Sequence, residues 1–260
     1  MYDEGAGREV QGNVVGNIRR LEGVESPQLG TQRDVLVYLP PSYGSSGRHY
    51  PVLYMQDGQN LFDPMTSFAG EWLVDETMER VSREGLEAIV VAIPNSGKLR
   101  ADEYSPFRDE RIGGGRGDDY VSFLIDTLKP RIDAAYRTRK DRDSTVTIGS
   151  SMGGLISLYA FFTRPSPFGR IGVMSPSAWF AERAILEFVR RARYTRGRIY
   201  LDVGTSEGAP TLHDARLLAR ALREKGYGRD TLRYVEAQGH QHTERDWARR
   251  LPGALEYLLR

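Results

Sequence analysis

The chain has 260 residues, and its 36 lysines and arginines nearly balance its 35 aspartates and glutamates, so the formal net charge is +1. This balance provides no global field that would attract nucleic acid or an anionic membrane. The absence of cysteine excludes disulfides, cysteine nucleophiles and thiolate metal sites. A chain of this length can bury a large core, so we expect a single domain over 1–260.

The N-terminal segment 1–10 is acidic and glycine-rich, without the basic and apolar regions of a secretion signal. No apolar stretch is as long as a bilayer-spanning helix. The sequence therefore predicts a cytoplasmic protein with neither a membrane nor a nucleic acid as partner. It gives no indication of the oligomeric state.

Short β-branched runs alternate with stretches of helical period, which predicts a mostly parallel sheet with helices on both faces. Eight strands are expected, at 14–21, 34–39, 52–55, 88–93, 145–148, 170–174, 198–203 and 231–235. Six helices are expected, at 72–84, 117–136, 153–162, 182–193, 214–225 and 244–260. The first two strands are interpreted as an antiparallel edge pair. The inner strands are apolar without alternation, as in strands covered on both faces.

Three local features refine these elements. We expect Asp118 or Asp119 to cap the second helix and Pro130 to bend or break it. We expect Thr243 to cap the last helix. The segment 94–116 is rich in glycine and charge and is predicted to be a long structureless loop. Because loops of that length in compact domains are usually functional or mobile, we expect it to border the active site.

The strongest motif is GSSMGG at 149–154, which fits the pattern G-x-S-x-G. It follows the apolar run TVTI and precedes the helical stretch GLISLYAFF, as the sharp strand–turn–helix of a nucleophile elbow requires. The glycines leave room for the turn, and the helix N-terminus favours a developing anion. Ser151 is therefore the predicted nucleophile, with Ser150 the weaker candidate.

A serine needs a base, which an acid orients, and in this type of fold the acid and then the histidine follow the serine along the chain. His213 precedes the last strand and is poorly placed. His240 and His242 follow that strand in a short loop. Because side chains two apart in this loop are expected to point in opposite directions, only one of the two can face Ser151, and either could be the base.

The acid is expected in the turn after the penultimate strand. Glu207 lies in that turn and is favoured. Asp202 is expected inside the strand, and Asp214 could instead cap a helix. All three stay candidates at this point.

Two backbone N–H groups should form the oxyanion hole, one from Met152 and one, in the loop DGQN at 57–60, from Gln59. Trp179 is expected in one wall of the substrate pocket, and Tyr104 and Phe107 in another. The chemistry requires no metal and no cofactor.

The chain resembles the putative-esterase family of the α/β-hydrolases, which groups esterase D with enterochelin, feruloyl and acetyl xylan esterases and mycolyltransferases. The similarity covers nearly the whole chain. It lies in VLVYLPPSY (35–43), YPVLYMQDGQNLFD (50–63), IPNSG (93–97), DEYSPF (102–107), GSSMGGLISLYA (149–160), SPSAWF (175–180), DVGTSEG (202–208) and HTERDWARRLPGALEYLL (242–259). The resemblance implies an α/β-hydrolase fold and hydrolysis of an ester.

The resemblance also implies roles for particular residues. The catalytic histidine of the family stands five residues before a tryptophan, which matches His242 and Trp247, and the family's acid falls in a G-T-x-[DE] turn, which supports Glu207. Many relatives have histidine where this chain has Gln56, but that change leaves the backbone donors in place, so we expect catalysis to survive it.

The expected activity is a serine esterase that acts through an acyl-enzyme on a small-molecule ester, with short-chain acyl esters as the favoured class. One alternative is an esterase for a siderophore trilactone or for a feruloyl or acetyl sugar. An alternative of another class is a catalytically silent binding protein with the same fold.

Overall fold

A computed structural model describes residues 7–10, 12–163 and 166–260. The expectation about a leader rests partly on residues 1–6, which lie outside the described residues. The central sheet of the described chain has nine strands. In order across the sheet they are β1 (Arg8–Glu9), β2 (Asn17–Ser26), β3 (Thr31–Leu39), β5 (Ile89–Ile93), β4 (Val52–Gln56), β8 (Thr145–Ser150), β9 (Arg170–Met174), β10 (Arg198–Gly204) and β11 (Leu232–Ala237).

The sheet divides into an antiparallel edge and a parallel body. Along the order given above, each strand from β1 to β5 pairs antiparallel with its neighbour. Each following pair, β5–β4, β4–β8, β8–β9, β9–β10 and β10–β11, is parallel. The mostly parallel sheet with an antiparallel edge is thus confirmed. The expected number of eight strands differs from nine because the two-residue strand β1 extends the edge, and it is too short to leave a pattern in the sequence.

Two apolar cores enclose the sheet, one on each face. Alternate residues of β5 belong to opposite cores, with Ile89, Val91 and Ile93 in one and Val90 and Ala92 in the other. Helices α1 (Val74–Ser82) and α8 (Glu244–Leu259) cover one face. The other face is covered by α3 (Gly117–Ser122), α4 (Lys129–Ala135), α5 (Met152–Thr163), α6 (Phe180–Arg191) and α7 (Ala209–Glu224).

The predicted helix at 117–136 is present but is not uniform. A π-helical segment, Phe123–Leu128, joins α3 to α4, and Pro130 is the second residue of α4. A proline has no N–H to donate, and here the wider turn precedes it, so Pro130 is accommodated without ending the helix. The expected cap was wrong: the helix begins after Arg116, Asp119 binds that arginine, and Asp118 accepts from the Tyr159 hydroxyl.

The cap predicted for the last helix is confirmed. The Thr243 hydroxyl accepts a hydrogen bond from the backbone N–H of Asp246 at 3.3 Å and caps α8.

The segment 94–116 is not structureless, contrary to expectation. It contains a 3-10 turn (Gly97–Leu99), helix α2 (Arg100–Glu103) and a two-stranded hairpin of β6 (Arg108–Asp109) and β7 (Gly113–Gly114). A buried ion pair between Arg33 and Glu103, at 2.8 Å, fixes α2 to the sheet. Part of the charge in this segment is therefore paired inside the protein, at Glu103 and at Arg100, which pairs with Asp57. None of the described helices is long and apolar enough to cross a membrane.

Candidate active site

Ser151 stands at the turn between β8 and α5, as the motif predicted. Its backbone is left-handed, with φ of 55°, and its N–H donates to the Met174 carbonyl of the neighbouring strand at 3.0 Å. A Cβ at Gly149 would lie 2.7 Å from the backbone of Gly153, so the turn can close this tightly only without a side chain there.

The strain at this turn is repeated on both sides of it. Asp57 directly follows β4 with φ of 55°, and Ser175 directly follows β9 with φ of 42°. These strands flank β8, so three non-glycine residues in the left-handed region stand side by side at the carboxyl edge of the sheet. Such positions are uncommon outside functional sites.

A cavity of about 760 Å³ opens at this edge. Ser151 and His242 both line it, which is the arrangement that a nucleophile and its base require. The remaining lining comes from the loop after β4, the segment after β5, the end of β8 and the start of α8: Asp57, Gln59, Asn60, Phe68, Ala69, Pro94, Asn95, Gly97, Lys98, Arg100, Ser150, Glu244 and Trp247.

The Ser151 hydroxyl contacts a second serine. Its Oγ lies 3.0 Å from Oγ of Ser177, and the backbone N–H of Ser177 donates to the Ser151 carbonyl, also at 3.0 Å. Ser177 is buried in the turn that follows β9. Sequence reasoning missed this neighbour because nothing in the spacing of the two serines indicates contact across the strands.

Glu207 and His242 form the second part of the site. Oε2 of Glu207 lies 2.7 Å from Nδ1 of His242, and the glutamate side chain is fully buried. Because an ionised carboxylate can only accept, Nδ1 carries the hydrogen and Nε2 is left as an acceptor. The His242 ring packs edge-on against Trp247, with 4.8 Å between ring centroids.

The environment of Glu207 favours its ionised form. Burial alone would raise the pKa of this carboxyl group, but hydrogen bonds from His242, the Ser175 hydroxyl and the Gly204 N–H hold it below its ordinary value. These bonds therefore favour a carboxylate at Glu207 beside the imidazole of His242.

The other acids and histidines that the sequence left open lie elsewhere. Asp202 is buried inside β10, accepts from the Ser175 N–H at 3.2 Å, and has its pKa raised to about 7 by burial. Asp214 pairs with Arg183 at 2.7 Å. The nearest acid to His240 is Asp246, at 3.9 Å. Among these candidates, only Glu207 contacts His242.

Behind Glu207 lies a buried group that sequence reasoning missed. Arg250 donates to the Ser175 hydroxyl at 2.8 Å and lies 3.4 Å from Glu207 and 3.5 Å from Asp202. Trp247 also donates to that hydroxyl, at 3.0 Å. The one available signal was the spacing of Trp247 and Arg250, which puts them on one side of α8.

The loop after β4 approaches the next strand closely. A Cβ at Gly58 would lie 2.5 Å from the backbone of Ala92 and Ile93, so only glycine fits. The loop continues as a 3-10 turn, Gly58–Asn60. Within the described chain, no acceptor binds the backbone N–H of Gln59 or that of Met152 at the start of α5.

Asp57 anchors this loop to the segment above it. Its carboxylate receives two hydrogen bonds from Arg100, at 2.7 and 2.8 Å, and one from Asn95 at 2.6 Å. Burial alone would lower the pKa of Arg100, but the bond to Asp57 raises it above its ordinary value. The Tyr104 hydroxyl accepts from the Asp57 N–H at 3.0 Å. This clamp fixes the start of the Gly58–Asn60 turn.

Gln56 is buried beneath the elbow. Its amide donates to the Thr147 hydroxyl, and its carbonyl oxygen accepts from the Ser157 hydroxyl, each at 3.0 Å. The glutamine thus joins β4 to β8 and α5 and faces away from solvent.

The aromatic residues expected in the pocket walls do not line this cavity. Tyr104 is fully buried against Tyr120. Phe107 packs in an aromatic cluster with Tyr159 and Phe188. Trp179 is half-exposed and lines a separate cavity beside the β6–β7 hairpin. The prediction was wrong because an aromatic residue near a loop has the same pattern whether it packs inward or faces a ligand.

A second cavity, of about 700 Å³, lies between α1 and α8. At its edge, ligand atoms of Glu71, Asp75 and Glu76 lie within 4.8 Å of one another, and this is the cluster among the described residues that could hold a metal ion. Burial raises the pKa of Glu71 and of Asp75. None of the three lines the Ser151 cavity.

The chain is similar to known proteins in sequence and in structure. A model of the family described as "Putative esterase" matches residues 26–258. Uncharacterized protein YbbA of Bacillus subtilis (strain 168) is 28% identical over 251 residues, which are 92% of this chain and 97% of that protein. The siderophore enterobactin esterase of Emericella nidulans is 28% identical over 163 residues, which are 56% of this chain and only 52% of that protein.

Solved structures show the same fold. The BES protein from Bacillus cereus has a TM-score of 0.74 at 21% identity, over 97% of this chain and 98% of that one. Siderophore hydrolase EstA from Aspergillus nidulans has a TM-score of 0.74 at 20% identity, over 96% and 98%. The expected α/β-hydrolase fold is thereby confirmed. The chain belongs to the Putative esterase family and is a carboxylic-ester hydrolase.

Proposed function

We propose that Ser151, His242 and Glu207 form a catalytic triad that hydrolyses small-molecule esters through an acyl-enzyme. The observation that carries the proposal is the bond of 2.7 Å between Glu207 and His242 beside the cavity that Ser151 and His242 share. It supports the roles of both residues, because the bond leaves Nε2 of the imidazole free to accept the serine proton.

In the proposed reaction, His242 accepts the proton of Ser151 while the serine oxygen attacks the ester carbonyl. The tetrahedral oxyanion is stabilised by the backbone N–H groups of Met152 and Gln59, which have no other acceptor among the described residues. The imidazolium then donates its proton to the departing alcohol. Water, deprotonated by His242, cleaves the acyl-enzyme and releases the acid.

Ser177 contacts the proposed nucleophile. Its hydroxyl oxygen lies 3.0 Å from Oγ of Ser151, and either hydroxyl can be the donor. Because a hydroxyl has only one hydrogen, Ser151 can donate to His242 when Ser177 is the donor in this pair. A hydrogen bond from Ser177 to the Ser151 oxygen is therefore compatible with the proposed reaction.

Short-chain acyl esters are the favoured substrates. A second candidate is a larger ester of the siderophore type, since relatives in this family include proteins named as siderophore esterases. The volume of about 760 Å³ leaves room for a substrate larger than acetate, and charges of both signs in the wall, at Lys98, Arg100, Asp57 and Glu244, favour polar groups on it.

The test is a p-nitrophenyl ester series from acetate to octanoate, with a siderophore trilactone in parallel, on the wild type and on Ser151→Ala. We expect Ser151→Ala to lower kcat by about 10⁴-fold or more. A kcat for the trilactone far above that for every aryl ester would favour the second candidate. Equal rates for both proteins would overturn the triad.

A fluorophosphonate probe separates an esterase from a silent protein of the same fold. We expect covalent labelling of the wild type at Ser151 and none of Ser151→Ala, since the probe reacts with an activated serine. An unlabelled, folded wild type would favour the silent binding protein.

A further inference from the structure

The hydroxyl of Ser175 binds three groups at once. It lies 2.5 Å from Oε1 of Glu207, 3.0 Å from Nε1 of Trp247 and 2.8 Å from Nη2 of Arg250. Ser175 is fully buried and does not itself line the Ser151 cavity, so nothing assigns it to substrate. Its role must be sought in these three contacts.

The direction of each bond follows from the chemistry of the groups. The indole and guanidinium N–H groups can only donate, so the Ser175 oxygen accepts from Trp247 and from Arg250. A hydroxyl has two lone pairs and one hydrogen. Both lone pairs are used, and the hydrogen is left for Glu207, so the hydroxyl of Ser175 cannot rotate without losing a bond.

This fixed donor determines how Glu207 is oriented. Oε1 receives the hydrogen of Ser175 and the N–H of Gly204 at 2.6 Å, so Oε2 is the oxygen presented to His242 at 2.7 Å. Rotation of the carboxylate would break both bonds to Oε1. The side chain therefore has one orientation, and that orientation faces the imidazole.

Arg250 also contacts the carboxylate of Glu207. Its side chain is buried, and it compensates two buried carboxylates, lying 3.5 Å from Asp202 and 3.4 Å from Glu207. Asp202 is kept away from His242, because its Oδ1 accepts a hydrogen bond from the Ser175 N–H. Ser175 thus contacts one acid through its backbone and the other through its hydroxyl.

We propose that Ser175 and Arg250 are positioning residues, which hold Glu207 with a single oxygen toward His242 and thereby align the base with Ser151. Neither touches the substrate or the reacting atoms. The inference rests on the proposed triad and extends it by two residues on separate elements, the end of β9 and helix α8. Trp247 completes the assembly, because it donates to Ser175 and packs against the His242 ring.

The test is a double-mutant cycle between Ser175→Ala and Glu207→Gln, measured with the best p-nitrophenyl ester. If Ser175 acts through the carboxylate, Ser175→Ala lowers kcat about tenfold in the wild type, with KM changed by less than about twofold. In the Glu207→Gln background the same substitution changes kcat by less than about twofold. Equal losses in both backgrounds would overturn the proposal, since a general structural role would act in each.

Two further variants keep the test decisive. Ser26→Ala removes a hydroxyl that is equally buried, in β2, and we expect kcat to stay within about twofold of the wild type. If Ser175→Ala does not fold, Ser175→Cys retains the shape and replaces the hydroxyl by a weak donor. Ser175→Cys should then lower kcat in the protein that retains Glu207 and leave it unchanged in the protein that carries Glu207→Gln. An unchanged kcat in the protein that retains Glu207 overturns the proposal.

The proposed function can fail separately. If Ser151→Ala hydrolyses the ester as fast as the wild type, the triad is wrong. If Ser151→Ala is inactive while Ser175→Ala retains full kcat, the triad stands and the positioning role is overturned.

Discussion

Two cavities of similar volume, about 760 and about 700 Å³, adjoin helix α8, and they differ in how their polar groups are paired. Around the Ser151 cavity, the carboxylates of Glu207 and Asp57 each bind several donors. Beside the other cavity, one oxygen each of Glu71, Asp75 and Glu76 is buried without a donor among the described residues.

Cavity size therefore does not single out the proposed active site in this protein. Directed donors around Glu207 and Asp57 do, because they fix the orientation of these carboxyl groups. Four predictions test whether the two cavities differ in this way.

The largest effect is expected at the histidines of the loop before α8. We expect His242→Ala to lower kcat by about 10³-fold or more, because it removes the general base, and His240→Ala to lower it by less than about threefold. Steady-state hydrolysis of the best p-nitrophenyl ester measures both, with circular dichroism to establish folding. The reverse ranking would move the base to His240.

A smaller loss is expected when the buried acid is neutralised. Glu207→Gln retains the shape but removes the charge that stabilises the imidazolium, and we expect kcat to fall by about 10²-fold. Asp214→Asn is the matched control, since Asp214 pairs with Arg183 and does not contact His242. A loss for the control as large as that for Glu207→Gln would contradict the assignment of the acid.

Removal of the clamp between Arg100 and Asp57, at the start of the Gly58–Asn60 turn, should have a moderate effect on activity. Arg100→Gln removes the ion pair that anchors Asp57, so the Gln59 N–H is held less firmly and kcat should fall about tenfold. Arg216→Gln removes an exposed ion pair with Glu236 and serves as the control, with kcat unchanged. Equal kcat for the two variants would show that the clamp does not support catalysis.

The smallest effect on activity is expected in the second cavity. Asp75 has a raised pKa, so the folded state binds more protons than the unfolded state at intermediate pH, and the free energy of unfolding should fall as the pH rises. Asp75→Asn should leave kcat unchanged and reduce this fall, by about 1–2 kcal/mol between about pH 5 and about pH 8. Urea unfolding at several pH values measures it, and an unaltered pH dependence would contradict the prediction.

The position of Ser151 at a turn between a strand and a helix could be predicted because its signal is local. The strand, the glycines and the helix around Ser151 are contiguous in the chain, and each is required by the same turn. The inner strands were predictable for a related reason, since an apolar run such as that of β5 is long enough to be buried on both faces.

The acid could not be chosen from spacing alone. Asp202, Glu207 and Asp214 follow one another within a short stretch. The contacts that distinguish Asp202 from Glu207 come from distant residues, Ser175 after β9 and Arg250 in α8. The clamp between Asp57 and Arg100 was missed for the same reason, because its members are 43 positions apart and each has an ordinary interpretation as a loop charge.

The left-handed residues that follow β4, β8 and β9 have a consequence for evolution and engineering. Each non-glycine residue in this region costs about 1–2 kcal/mol of conformational energy, so Asp57, Ser151 and Ser175 together make this edge a strained part of the backbone, as is the start of α6 at 181–183. Ser151→Gly would relieve that strain while it removes the nucleophile. A screen for thermal stability alone would therefore favour inactive proteins, and a thermostable enzyme has to gain its stability away from the three strand ends.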